Sequence, residues 1–443
     1  MTGSYWAEYG WLDGEVAARV RLVAEASRWL AIERGVAPSP TDTVLPGMVL
    51  PGFANTHSHA FHRALRGRTQ DGGGTFWTWR EQMYRLAGRL QPASYYLLAR
   101  AVYAEMALAG VSTVGEFHYL HHREDGSRYA EPNEFGRVLI QAAGDAGIRI
   151  SLLDTCYLSG GLDANGYQPV SGVHRRFSDG TAAGWRDRVE LLAAEFDGAD
   201  QVRIGAAIHS VRAVPADQLA EVVSWPAGRP LHVHVSEQPA ENEACQLVHG
   251  RSPTRLLADH GFGGPLHTAV HATHLSQADI AWYGSSGTNI SFCPTTERDL
   301  ADGIGPASAL AAAGARLTLG SDQNAVVDLL EEARALEMDD RLATLRRGRF
   351  RLASLIESLT ATGQASLGFA DAGRLAVGQR ADLVAVRLDT VRTAGVLPGQ
   401  LVLAASAADV DTVLVDGRPV VEGGRHRLGD VGRLLAEAVD ATG

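Results

Sequence analysis

The residues most able to do chemistry in this 443-residue chain are histidines and carboxylates that each follow a short apolar run. His57-Ser58-His59 comes directly after Met48-Val49-Leu50-Pro51-Gly52-Phe53-Ala54-Asn55-Thr56. Residues two apart on a strand face the same side, so both imidazoles can reach one metal ion. Leu231-His232-Val233-His234-Val235 offers a third imidazole. Only one of its two histidines is needed; His234 lies nearer the C-terminal end of the strand, which leaves His232 as a packed, hydrogen-bonded core residue. Asp322, at the end of Leu317-Thr318-Leu319-Gly320-Ser321, could add a carboxylate oxygen, although an Asp there taken alone reads as a helix N-cap. Three neutral imidazoles and one carboxylate suit a borderline-soft divalent ion, zinc or alternatively iron, with room left for water. Such an ion brings the pKa of its water down to about 7. Glu237 could carry a proton between that water and a leaving nitrogen, where in isolation it would be an ordinary surface carboxylate. His271, in Ala269-Val270-His271-Ala272-Thr273-His274, could hydrogen-bond the attacking oxygen, with His274 as a helix-start residue or the two roles exchanged. Together these residues describe a mononuclear metal-dependent hydrolase.

Such a set needs a scaffold that gathers distant segments. Eight β-branched or apolar runs lie near 49–56, 111–117, 148–154, 202–208, 230–235, 268–272, 288–293 and 315–320, with helical patterns such as 92–109 and 328–346 between them. Eight strand–helix alternations predict parallel pairing through right-handed crossovers and closure into a (β/α)8 TIM barrel, with an open doubly wound sheet as the rival. The residues at the strand ends favour closure. They are His57/His59, Glu116/His118, Asp154, His209, His234/Glu237, His271, Cys293 and Asp322, and in a barrel they converge on one mouth. The flanks read differently: residues 1–48 and 373–443 carry strand-like runs too short for separate cores. They are expected to pair as a small β-sandwich domain built from both termini, with the barrel over 49–372. Asp71-Gly72-Gly73-Gly74 reads as a loop tip.

Composition narrows the chemistry. The chain is 45% apolar and 21% charged, which is globular, and its net charge of −11 with no dominating basic block argues against nucleic acid or an anionic membrane as partner. All 40 basic residues are arginine. Without lysine there can be no Schiff base, no P-loop lysine on a phosphate and no carbamylated lysine bridging two metals. Cys156, Cys245 and Cys293 are few, distant and odd in number, so they read as reduced, packed thiols. With no cationic leader and no long apolar run, a cytoplasmic protein is expected, and a homodimer is the default assembly.

The motifs resemble the amidohydrolase superfamily in its mononuclear, deaminase-like branch. The resemblance rests on Leu50-Pro51-Gly52-Phe53-Ala54-Asn55-Thr56-His57-Ser58-His59, on His234 with Glu237, on His271, on Ser321-Asp322, and on Gly373-Arg374-Leu375-Ala376-Val377-Gly378-Gln379-Arg380-Ala381-Asp382-Leu383. Within that superfamily, His59-Ala60-Phe61-His62-Arg63-Ala64, Thr75-Phe76-Trp77-Thr78-Trp79-Arg80, Glu116-Phe117-His118-Tyr119 and Ile208-His209-Ser210-Val211-Arg212-Ala213 are similar to the formimidoylglutamate deiminases of histidine degradation. The resemblance covers nearly the whole chain.

It implies hydrolysis of N-formimidoyl-L-glutamate to N-formyl-L-glutamate and ammonia. It further implies one zinc ion on His57, His59, His234 and Asp322, with Asp322 also accepting a proton, His271 orienting the oxygen and Glu237 protonating the leaving nitrogen. Arg80, Tyr119, His209, Arg212 and His62 match the substrate-contacting positions, and two arginines suit a dicarboxylate. Trp77 and Trp79 read as packing for a lid. Two places depart from the family pattern: His62 stands where Gln is frequent, and Gln323-Asn324 where Ser-His is frequent. The competing expectations are a deaminase of the same branch acting on a purine, pyrimidine or related cyclic amidine, and, more remotely, a non-catalytic scaffold barrel.

Overall fold

The computed structural model describes residues 2–70, 73–225 and 227–442; Asp71 and Gly72 of the expected loop tip lie outside them. Eight parallel strands form the larger sheet: β1 (Phe53–Ser58), β2 (Val111–His118), β3 (Arg149–Cys156), β4 (Val202–Ile208), β5 (Leu231–Val235), β6 (His267–His271), β7 (Asn289–Phe292) and β8 (Arg316–Leu319). They are ordered as in the sequence, each paired in parallel with the next. Every residue of β1, β2 and β3 is buried, as expected of strands covered on both faces. The predicted helices appear as Pro92–Leu108 and Leu329–Thr344.

The barrel closes at its mouth. Ser58 and Asp322 form a parallel bridge, in which the His59 N–H donates to the Asp322 carbonyl and the Asp322 N–H to the His57 carbonyl, both at 2.9 Å. The backbone that joins the first and last strands is therefore that of three candidate metal ligands.

One expected strand divides in two. The run at 49–56 is not a single barrel strand: Thr43–Leu50 belongs to the second sheet, and the barrel begins only at Phe53. Pro51 lacks an N–H for the ladder. Gly52 is pressed so close that a Cβ there would lie 2.5 Å from Ser112 Oγ and 2.9 Å from Asp382 Cβ, which only glycine allows.

The second sheet draws on both termini. Its strand order is Arg425–His426, Arg418–Glu422, Val410–Val415, Leu383–Val386, Thr43–Leu50, Thr2–Leu12, Glu15–Glu25, Arg28–Glu33. All pairs are antiparallel except Thr2–Leu12 with Thr43–Leu50. An Arg28–Arg380 bridge curls the far end of the sheet back on itself around its own apolar core.

A buried ionic cluster joins this sheet to the base of the barrel. Arg149, at the start of β3, pairs with Asp382 and reaches Asp416 at 3.3 Å, and the Asp416 N–H donates to Asp382 at 2.9 Å. Removing one partner of such a pair strands a buried charge. Asp382→Ala is accordingly expected to lower unfolding free energy by about 3–5 kcal/mol, read as a reduced midpoint in equilibrium urea unfolding. A loss below about 1 kcal/mol, the range of surface pairs, would show that the cluster is not what holds the two sheets together. Among the described residues no helix is long and apolar enough to cross a membrane.

Candidate metal centre and active site

His57 and His59 project from the end of β1, His234 from β5, and Asp322 from the turn after β8. Their donor atoms converge. His57 Nε2 is 3.1 Å from His234 Nε2 and 3.3 Å from Asp322 Oδ1; His59 Nε2 is 3.3 Å from His234 Nε2 and 3.5 Å from Asp322 Oδ1. A tetrahedral ion with ligands at about 2.0–2.1 Å sets its ligand atoms about 3.3–3.4 Å apart, so these spacings fit one zinc-sized cation. Burial holds the pKa of all three imidazoles below the usual value and keeps them neutral, as ligands must be. Burial opposes ionisation of Asp322, but His57 and the other surrounding imidazoles outweigh it and hold the carboxyl well below its ordinary range. The far ring nitrogens fix two orientations: His59 Nδ1 donates to the Phe117 carbonyl at 2.9 Å, and His234 Nδ1 to the His209 carbonyl at 2.8 Å, leaving each Nε2 as the lone-pair atom.

His271 stands beside the cage, 3.8 Å from Asp322 Oδ2 and 3.5 Å from Glu237 Oε1. Burial disfavours its cation, yet Glu237, Glu297 and Asp322 together raise its pKa to about 10. Burial also raises the pKa of Glu237. Ser236, His271 and Asp322 all have positive φ (52°, 67° and 43°), the sparsely populated backbone that tends to gather at functional sites. His274 lies apart from the donor cluster, with Nε2 on the Asp302 carbonyl at 2.8 Å.

A pocket opens above the cage and is lined by His59, His234, Glu237, His271 and Asp322 together with His62, Arg80, Tyr119, His209 and Arg212. Every site residue expected from the sequence apart from the deeper His57 therefore borders one cavity. Arg80 comes from the helix Phe76–Arg89, its guanidinium 4.5 Å over the Trp77 ring and 5.4 Å from that of Tyr84. Of the two tryptophans expected as packing for a lid, Trp79 is buried in the pocket wall, whereas Trp77 is exposed and lies outside the lining. His62 Nε2 and the Tyr119 hydroxyl are hydrogen-bonded at 2.9 Å, and burial keeps His62 neutral with a pKa of about 3.

Other residues behave differently from their sequence reading or were not singled out by it. His232 is buried, as expected, but among the described residues neither ring nitrogen has a hydrogen-bond partner. His118, His121 and Asp154 also lie close together, yet Asp154 is taken up by Arg188, at 2.8 Å to each oxygen, and by Trp185 Nε1 at 2.9 Å, a structural network rather than a second metal cage. Glu297, in the first turn of the helix Pro294–Asp299 that follows β7, accepts the Cys293 N–H at 2.9 Å and approaches His271 Nδ1 at 3.4 Å. Asn324, at one of the departures, clamps the mouth: its amide reaches the His59 and Asp322 carbonyls at 3.1 and 3.2 Å, while its oxygen accepts from Ser321 Oγ at 2.6 Å. Its φ of 57° is one that asparagine tolerates better than most residues.

A closed parallel barrel with three imidazoles and an aspartate at its mouth is a hydrolase scaffold of one class, and the chain belongs to the amidohydrolase family, whose profile matches residues 48–420. It is thereby a metal-dependent hydrolase acting on carbon–nitrogen bonds. Its relatives include formimidoylglutamate deiminase from Pseudomonas aeruginosa PAO1, 37% identical over 95% of both chains. The 8-oxoguanine deaminase of the same strain is 31% identical over 88% of this chain and 85% of its own. Among solved structures, an amidohydrolase from Brucella melitensis superimposes with a TM-score of 0.92 at 31% identity, covering 99% of both chains.

Proposed function

We propose that the chain hydrolyses N-formimidoyl-L-glutamate to N-formyl-L-glutamate and ammonia. The observation that carries this reading is the pair of arginines, Arg80 and Arg212, on the wall of a pocket whose floor is the histidine–aspartate cage. A dicarboxylate needs two cationic forks, whereas a neutral base needs neither. The similarity to a formimidoylglutamate deiminase over 95% of the chain supports the same choice over a purine deaminase.

His57, His59, His234 and Asp322 would hold one zinc ion, with iron as the second choice of the same donors. When bound, such an ion supplies the Lewis acidity that makes water nucleophilic at neutral pH. Arg80 and Arg212 hold the substrate carboxylates, and Tyr119, His62 and His209 shape the space between. Asp322 accepts the proton released as water adds to the formimidoyl carbon. His271 steadies the developing charge on oxygen, and Glu237 delivers a proton to the departing nitrogen, so that amidine and water become formamide and ammonia.

The test is ammonia release from N-formimidoyl-L-glutamate by the zinc-loaded protein, set against guanine, cytosine and adenosine. Turnover confined to the dicarboxylate is expected, and turnover of a base instead would replace the reading. Arg212→Met is expected to lower kcat/KM for formimidoylglutamate by about 10²-fold, chiefly through KM, since a charge-assisted bond of about 1.5–3 kcal/mol is lost. An unchanged KM would remove Arg212 from the substrate site.

A further inference from the structure

Arg212 is held by a carboxylate outside the catalytic set. Its Nε donates to Glu241 Oε2 at 2.8 Å, and the Glu241 side chain is fully buried. The other Glu241 oxygen accepts the Ser236 N–H at 3.1 Å. Ser236 has a left-handed backbone (φ 52°) and lies two residues beyond His234. Glu241 itself sits in the first turn of the helix Pro239–His249, where a negative charge is favoured. Its two oxygens are therefore both committed, one to the strand end that carries His234 and one to Arg212. Nε is thus engaged by Glu241, while Nη2 lies 4.0 Å from Glu237 Oε2 and Arg212 borders the pocket.

We infer that Glu241 is a positioning residue that aims the Nη edge of Arg212 at one substrate carboxylate and so sets selectivity for the dicarboxylate. A guanidinium recognises a carboxylate bidentately only when its planar fork is already oriented, and an unanchored arginine loses rotamer freedom on each binding event. Glu241 meets that cost once, during folding. The inference rests on the proposed deiminase reading.

Steady-state kinetics of the zinc-loaded parent, E241Q and E241D with three substrates test it. These are N-formimidoyl-L-glutamate and two singly charged analogues, N-formimidoylglycine and N-formimidoyl-4-aminobutyrate, each keeping one of the two carboxylates. E241Q is expected to raise KM for formimidoylglutamate about tenfold with kcat changed less than threefold. E241D should fall between E241Q and the parent. Only one analogue, the one whose carboxylate meets Arg212, should lose affinity in parallel. A merely structural role would instead move kcat, both analogues and the thermal midpoint together, and that result overturns the inference, as does an unchanged KM in a folded, zinc-loaded E241Q. If E241Q does not fold, E241D decides alone: a KM raised at least threefold at constant kcat supports the inference and an unchanged KM ends it. A parent that fails to turn over formimidoylglutamate removes the deiminase reading and this inference with it, whereas turnover by the parent with an unshifted variant removes only the inference.

Discussion

Glu237→Gln is expected to keep its full complement of metal and to lose about 10²–10⁴-fold in kcat, the usual worth of a positioned proton donor. Both halves of that expectation follow from position. Glu237 is buried beside the cage, 3.5 Å from His271 Nε2 and 4.0 Å from Arg212 Nη2, but the four spacings that define the cage are completed without it. Metal content should therefore be that of the parent. The amide is nearly isosteric and leaves the packing intact, yet it cannot give a proton to the nitrogen that departs as ammonia. Burial raises the pKa of Glu237, against the opposing pull of His271 and Arg212. Initial rates of ammonia release, paired with metal analysis of the same samples, read both quantities. Full turnover with full metal would take the proton-delivery role from Glu237 and turn attention to His271.

The parts of this site legible in the sequence are those written as local patterns. The i, i+2 pair His57 and His59, the His234 that ends a β-branched run and the Asp322 that follows one all stand where a barrel strand stops, so periodicity alone brings them to the mouth. Glu241, Glu297 and Asn324 have no such signature. Each acts across elements, on Arg212, on His271 and on the seam between the first and last strands, and sequence spacing carries no record of those meetings. The run at 49–56 misled for a related reason. Apolar residues continue through it, and the division into two strands depends on Gly52 fitting against Ser112 and Asp382, residues far along the chain. His232 shows the converse limit: alternation put it inside, as the structure does, but could not tell whether its ring nitrogens would find partners.

The largest effect is expected from Asp322, because two functions meet there. In the proposed reaction it would be the one anionic donor of the cage, offsetting part of the ion's charge, and, beside His271, it would accept the proton that water gives up. Asp322→Ala should therefore retain less than a tenth of the parent's metal after dialysis and lose more than about 10⁴-fold in turnover, with the fold kept because the hydrogen bonds that close the barrel use the Asp322 backbone. His57→Ala separates the two functions. It also loses a donor, but it leaves the proton acceptor in place. Excess zinc should then restore measurable turnover to His57→Ala and none to Asp322→Ala, even when both are refilled to the same extent. Equal rescue of the two variants would mean that Asp322 serves the ion alone, and an Asp322→Ala protein that keeps its metal would mean that the four donors do not share one cation.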